Sequence, residues 1–429
     1  MTKTNRRHGR IQGGIIMTEA VAAALMNRLA ESYVKLVLAV GQHDPDYVDA
    51  YYGPERLKSE VNAERVPLDR IKQAALSVLV ELKNSIDTSG LEEMEQLRHQ
   101  YLVKQMQSLI ARVDMLSGTR LTFDQETEAL YDAVAPSYPE SHFQRILDEL
   151  AAVLPGDGSI PERYDAFKRG FIIKRELLDK VFSAAIAEGR KRTKNHIELP
   201  AGENFTVEYV TGKSWSGYNW YKGNSHSLIQ VNTDLPIYID RAVDLASHEG
   251  YPGHHVYNAL LEENLVRGRS WVEFSVYALF SPQSLIAEGT ANYGIEMAFP
   301  NTERVSFERE VLFPLAGLDG SKAETYYKIH ELVSRLNYAG NEAARRYLNG
   351  NRDEAARWLI NYALMSPERA QQRTRFFDQY RSYVINYNLG QDMVKRYIES
   401  RTGTPNDVEK RWEAFKHLIS SPRLPSGLK

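Results

Sequence analysis

The sequence predicts a mainly α-helical protein with one small β-sheet, and three observations carry that prediction. Apolar residues recur at three- and four-residue steps through most of the chain, glycine and proline are scarce inside those stretches, and strand-like alternation is confined to 195–234. At 429 residues the chain exceeds what a single core usually supports. It reads as a disordered tail over 1–16, a helical N-terminal lobe over 17–192 and a mixed lobe over 193–429. The two lobes are joined without a flexible linker or form one continuous domain.

The first helical segment, Thr18 to Leu38, carries Val21, Leu25, Leu29, Tyr33 and Leu36 on one stripe. Leu68 to Ile86 and Leu91 to Leu116 repeat the pattern, the latter with Ser89 as its cap and acids in its first turn. Further helices are expected at Glu140 to Val153 and Arg163 to Ala187. Strands follow at Phe205 to Val210 and Ser227 to Asn232, with an aromatic and glycine-rich loop, Trp215 to Gly223, between them. Helices resume from Pro236. Ser281-Pro282, Ser366-Pro367 and Thr404-Pro405 each place a capping residue before a helix-starting proline.

Composition removes several function classes. Lys plus Arg is 53 against 56 Asp plus Glu, a formal charge of −3, so the basic surplus of a general nucleic-acid binder is missing. There is no cysteine, hence no thiol catalysis, cysteine-based zinc site or disulfide. No segment approaches the ~20 apolar residues of a membrane helix. Met1 to Ile16 is basic (Lys3, Arg6, Arg7, Arg10) and lacks the apolar core of a signal peptide. The expectation is a soluble, cytoplasmic protein without nucleic-acid or membrane partners. Gly212-Lys213-Ser214 ends like a phosphate loop, but the required earlier glycine is Val207.

The chemistry concentrates in Ser247-His248-Glu249-Gly250-Tyr251-Pro252-Gly253-His254-His255, where three of the eleven histidines fall within eight residues. Zinc takes imidazole and carboxylate ligands at about 2.0–2.2 Å and keeps a position for water in catalytic sites. The usual helical arrangement, H-E-x-x-H, puts two imidazoles on one face. Here the second Gly-His comes two residues later than in an H-E-x-G-H motif. Six residues of unbroken helix turn through about 600°, which would carry His254 off the face of His248. A bend at Pro252-Gly253 is therefore required, and the second imidazole is His254 or His255, with the Gly-His register favouring His254. A His-Glu pair alone is more often a surface pair. The third ligand expected for a site of this kind is Glu288, 34 residues after His254 in the apolar stretch Leu285 to Glu296. A carboxylate there is costly to bury unless paired or bound to metal. Gly289 and Ala291 would let that helix approach another closely. Glu296 is a weaker candidate, equally readable as an exposed residue.

His-Glu-x-x-Pro-Gly-His followed by Glu-Gly-x-Ala-x-Tyr resembles the bacterial family catalogued as domain of unknown function 885, zincin-like proteins that include metal-dependent peptidases. It is also similar in outline to the thermostable carboxypeptidase and thimet-type peptidases. A later segment, Tyr383 to Gly390, resembles that family's Tyr-x-x-Gly with Tyr387 and Gly390 in register, so the likeness runs from about Ser227 to Ile398. The chain departs from the family at Tyr257, Thr290 and Asn341, where Gln, Trp and His are usual. The resemblance implies a helical zincin-like metallopeptidase fold with the small sheet before the metal-binding helix. It also implies one Zn²⁺ per chain on His248, His254 and Glu288, with Glu249 as general base and Tyr387 as donor to the developing oxyanion. A core tyrosine is the plain alternative for Tyr387. The implied substrate is a short peptide, cleaved in a carboxypeptidase-like way. The strand from Ser227 would lay out an extended substrate, with Asn232 and His226 as contacts or as ordinary strand-end residues. Asp244, one turn before His248, would orient its imidazole or remain solvated. A metal-dependent amidohydrolase and a helical binding protein with a relic site are the competing expectations.

Overall fold

In the computed structural model the described residues are 19–402 and 407–428. The expected tail and the Thr404-Pro405 cap lie outside them. The described chain is mainly helical, with 68% helix and 7% strand in small sheets.

The N-terminal helices Glu19–Gly41, Leu68–Ser85 and Glu93–Leu116 pack against one another. The first buries Met26, Leu29, Ala30, Tyr33, Val34 and Val37, whereas Val21 is exposed. The stripe is thus turned by about one residue from the expected one, because Ala30, Val34 and Val37 form an equally apolar row that faces the other two helices. Ser89 does not cap the third helix. Its hydroxyl bonds Asp87, and the helix begins after Glu92.

Glu140–Val153 forms as expected, but the helix expected over Arg163 to Ala187 is two helices, Ile160–Arg169 and Leu178–Lys194. Gly170 ends the first, and the β-branched run after it leaves the helix. Ile173 N donates to Ile237 O (2.9 Å) and Ile239 N to Phe171 O (3.0 Å), which anchors the approach to the histidine segment.

Five strands form two sheets: β1 (Val48–Tyr51), β2 (Asn204–Val210), β3 (Gly217–Gly223), β4 (His226–Asn232) and β5 (Val276–Ala278). The larger sheet has the order β2-β4-β3, with β2 and β4 parallel and β3 antiparallel to β4. The stretch expected to be an elaborate loop is therefore mostly strand β3. Its Trp220 donates to Gln230 on β4 (3.0 Å), a cross-strand pair that the flanking glycines obscured. β1 and β5 pair antiparallel in a second sheet that local patterning does not reveal.

Pairing of β1 with β5 joins the two halves of the chain, and so does a buried ion pair. Arg98 grips Glu273 with Nε at 2.6 Å and Nη2 at 3.1 Å, both side chains being almost fully buried. The hydrophobic core runs without interruption from the N-terminal helices to the C-terminal ones. Its closest helix crossing pairs Pro282–Ala298 with Ile385–Thr402. A Cβ on Gly289 would lie 2.5 Å from the backbone of Gly390, so only glycine permits this approach.

Candidate metal centre

The helix Asp240–Leu245 runs into a wide, π-type turn at Ala246–Gly250 that carries His248 and Glu249. Tyr251 is extended ahead of Pro252, as a residue before proline prefers. The chain then folds back, with Gly253 N donating to Ser247 O at 2.9 Å, and a new helix, His254–Leu261, begins. A Cβ at position 253 would stand 1.9 Å from the His248 carbonyl oxygen. The two residues inserted before Gly-His are absorbed in this loop.

As a result His248 Nε2 and His254 Nε2 are 3.2 Å apart, with their rings perpendicular. Glu288 Oε2, from the helix Pro282–Ala298, lies 3.2 Å from His248 Nε2 and 3.6 Å from His254 Nε2. Donors about 2.0–2.1 Å from a tetrahedral ion sit about 3.3–3.4 Å apart, so this triangle has the edges of one tetrahedral face. Glu288 Oε2 is buried without a hydrogen-bond partner, and Oε1 accepts from the Tyr383 hydroxyl at 2.8 Å. A carboxylate oxygen left unpaired against two imidazoles fits a cation ligand. Glu249 has an oxygen within 4.8 Å of a ring nitrogen on both histidines. Its room comes from Gly217 on β3, where a Cβ would stand 2.8 Å from Glu249 Oε1.

Nδ1 of His248 faces Asn292 Oδ1 at 2.9 Å, leaving Nε2 for the centre. Asp244 does not orient it. The wide turn swings His248 off the Asp244 face, and Asp244 pairs with Arg304 (2.9 Å) and Arg241 (3.2 Å). His255 points elsewhere too. Its Nε2 meets Glu203 at 3.0 Å and its Nδ1 meets Ser227 Oγ at 2.9 Å, so both nitrogens are taken by protein groups. The imidazole that joins His248 is that of His254. Glu296 pairs with Gln391 and Lys395 across the helix crossing.

Electrostatics binds the donors together. Burial alone would pull His254 down, but the charge of Glu288, with those of Glu249 and Asp49, pushes it up to about 9. Burial would raise Glu288, yet His254 and His248 hold it well below the carboxylate range. Burial raises Glu249, against the opposing charges of the same histidines. Asp49 on β1 faces the same cleft, accepts a hydrogen bond from Tyr218, and is raised by burial to about 6.

The centre opens into a cleft of about 1150 Å³. Tyr387 lines it, its ring 6.4 Å from that of His248. Burial, and next the charge of Glu288, push its phenol well above the usual range, while Arg373 opposes them. Neither Asn232 nor His226 reaches the cleft. Asn232 donates to the carbonyls of Lys213 (3.0 Å) and Trp215 (2.9 Å), and His226 is exposed with Nδ1 on Asn224 O (2.7 Å). β4 lies between β2 and β3 and so has no free edge. Gly217, Tyr218 and Asn219 of β3 line the cleft instead. Sequence reasoning missed Asn292 and Tyr383, although each stands four residues from a residue it had singled out, Glu288 and Tyr387 respectively. It also missed Asp49, a lone acid on the short strand β1 that no local pattern marks.

No family model matches the chain, and no curated protein matches it. Among solved structures, one from Colwellia psychrerythraea described as a "putative lipoprotein" aligns with TM-score 0.47 and 16% identity, covering 94% of this chain and 76% of that one. Another, from Shewanella oneidensis and described as a "putative lipoprotein of unknown function", aligns with TM-score 0.44 and 14% identity, covering 85% and 76%. No helix among the described residues is long and apolar enough to cross a membrane.

Proposed function

We propose that the chain is a zinc-dependent hydrolase of peptide bonds in short peptides, a helical zincin-like enzyme of the kind its motifs resemble. The observation that carries this reading is the triangle of His248 Nε2, His254 Nε2 and Glu288 Oε2, with edges of 3.2, 3.2 and 3.6 Å and the Glu249 carboxylate beside it. His248, His254 and Glu288 would hold the ion. When bound, zinc supplies a Lewis acid and brings the pKa of water to about 7. Glu249 takes the proton of the attacking water and passes it to the leaving amine. Tyr387 donates its phenol proton in a hydrogen bond to the oxygen on which charge develops. Asn292 fixes the tautomer of His248, and Tyr383 fixes the rotamer of Glu288. The cleft, about 1150 Å³, is slightly larger than the usual range for small-ligand pockets, which suits a few residues of peptide better than a folded chain.

The test is hydrolysis of a panel of short peptides by zinc-loaded protein, with Glu249→Gln alongside. Activity should fall by about 10²–10⁴-fold in the variant, with zinc retained. Hydrolysis undiminished in Glu249→Gln would overturn the reading.

A further inference from the structure

The wall of the cleft formed by the helix Pro367–Tyr380 carries two arginines one turn apart, Arg369 and Arg373, and both line the same cavity as His248 and Glu249. Arg369 donates to the Pro236 carbonyl at 2.9 Å, and Arg373 lies on the Phe376 ring at 5.0 Å. Among the described residues neither has a carboxylate partner. Arg241 adds a third guanidinium to the same cavity. Its acid partner is Asp244, at 3.2 Å, which Arg304 shares. Buried arginines elsewhere are paired, Arg98 with Glu273 and Arg112 with Asp44. Burial lowers both Arg369 and Arg373; the charge of Arg241 adds to this at Arg369, where Asp240 opposes it, and the charges of Arg369 and Arg241 add to it at Arg373. Holding Arg369 and Arg373 beside a third guanidinium with no carboxylate paired to either is unfavourable unless an anion enters. The wall itself is fixed, since Gln372 donates to Lys213 O (3.2 Å) and Ser214 donates to Gln379 (2.9 Å).

The geometry points to an anion subsite, made by Arg373 and Arg369 with Arg241 beside them, that anchors a carboxylate of the peptide substrate within the cleft. This assignment rests on the peptide-hydrolase reading for the nature of its ligand. The carboxylate is the C-terminal one or that of an acidic side chain, and a guanidinium fork holds either in two parallel hydrogen bonds. The subsite selects substrates by charge, whereas the histidine centre acts on the bond itself.

Calorimetric titration of the Glu249→Gln chain, which should leave its ligands uncleaved, tests it with three probes: benzoyl-Gly-Phe, its C-terminal amide, and benzoyl-Gly-Glu amidated at the C-terminus. The free acid should bind about tenfold or more tightly than the neutral amide. Arg373→Met and Arg369→Met should each reduce that preference and leave binding of the neutral amide unchanged, which also reports an intact fold. Arg373→Lys should keep part of it. Binding of the amidated Glu peptide at the strength of the free acid would assign the subsite to an acidic side chain. Binding at the strength of the neutral amide would assign it to the C-terminus. Equal binding of acid and neutral amide, no binding of the acid, or a preference that survives both methionine variants would overturn the inference. Failure of the hydrolase reading looks different, as absence of cleavage by wild-type protein with the acid preference intact.

Discussion

Asn292 ties the imidazole of His248 to the backbone of Tyr387. Its Oδ1 lies 2.9 Å from His248 Nδ1, and its Nδ2 donates to the Tyr387 carbonyl at 2.9 Å. The second bond fixes which end of the amide faces the ring, and so which imidazole nitrogen is left for the centre. One side chain therefore couples the histidine turn to the helix that carries the proposed oxyanion donor.

Asn292→Ala should weaken zinc binding by about 10–100-fold, read by chelator competition, because the imidazole loses its orienting partner. An unchanged affinity would show that His248 is held by packing alone.

Glycine is required where backbones meet. Gly253→Ala forces a Cβ to 1.9 Å from the His248 carbonyl, and Gly289→Ala to 2.5 Å from Gly390. Both should destabilise by more than about 4 kcal/mol in urea titration, or fail to fold. Gly90 has nothing within 4 Å and serves as the control, with Gly90→Ala expected within about 0.5 kcal/mol of wild type. Equal behaviour of the three variants would contradict the packing described.

His255→Gln separates structure from metal binding. It should lower stability by about 1.5–3 kcal/mol through loss of the Glu203 and Ser227 contacts, and leave zinc stoichiometry unchanged. Loss of zinc with an unaltered melting temperature would make His255 a ligand instead.

Glu273→Gln leaves Arg98 buried beside a neutral amide. The expected cost is about 3–5 kcal/mol, while Arg98→Met combined with Glu273→Leu should cost clearly less. Denaturant unfolding of the single and double variants gives the comparison.

His330, outside the centre, gives a pH signature. Burial would lower it, but its hydrogen bond to Asp240 and the charge there raise it above 6.5. A raised folded value means the pair stabilises fully below pH 6.5 and loses that contribution as pH climbs through the folded value. The difference in melting temperature between wild type and His330→Gln should shrink over that range. A difference that grows with pH would reverse the sign of the coupling.

Much of the helical framework was legible because apolar spacing and flanking prolines mark it locally. Leu68–Ser85 and Glu140–Val153 begin directly after Pro67 and Pro139. What escaped depends on partners distant in sequence. β1 and β5 are four and three residues long and form only because the chain brings positions 48–51 against 276–278. Within the site, the histidine and glutamate motifs singled out His248, Glu249, His254 and Glu288, and the family resemblance added Tyr387; the fold gathers all five in one cleft. Asn232 and His226 were chosen for their place on a strand, and strand position alone does not tell which side chains brace a loop or face solvent. Arg369 and Arg373 look like an ordinary charged helix face until the cleft they line is seen.

Metal content by mass spectrometry, on untagged protein purified without chelator and with His254→Ala alongside, decides the account. About one zinc per chain in wild type, lost in the variant, is the predicted result. No zinc in wild type, even after zinc is added back, would contradict it.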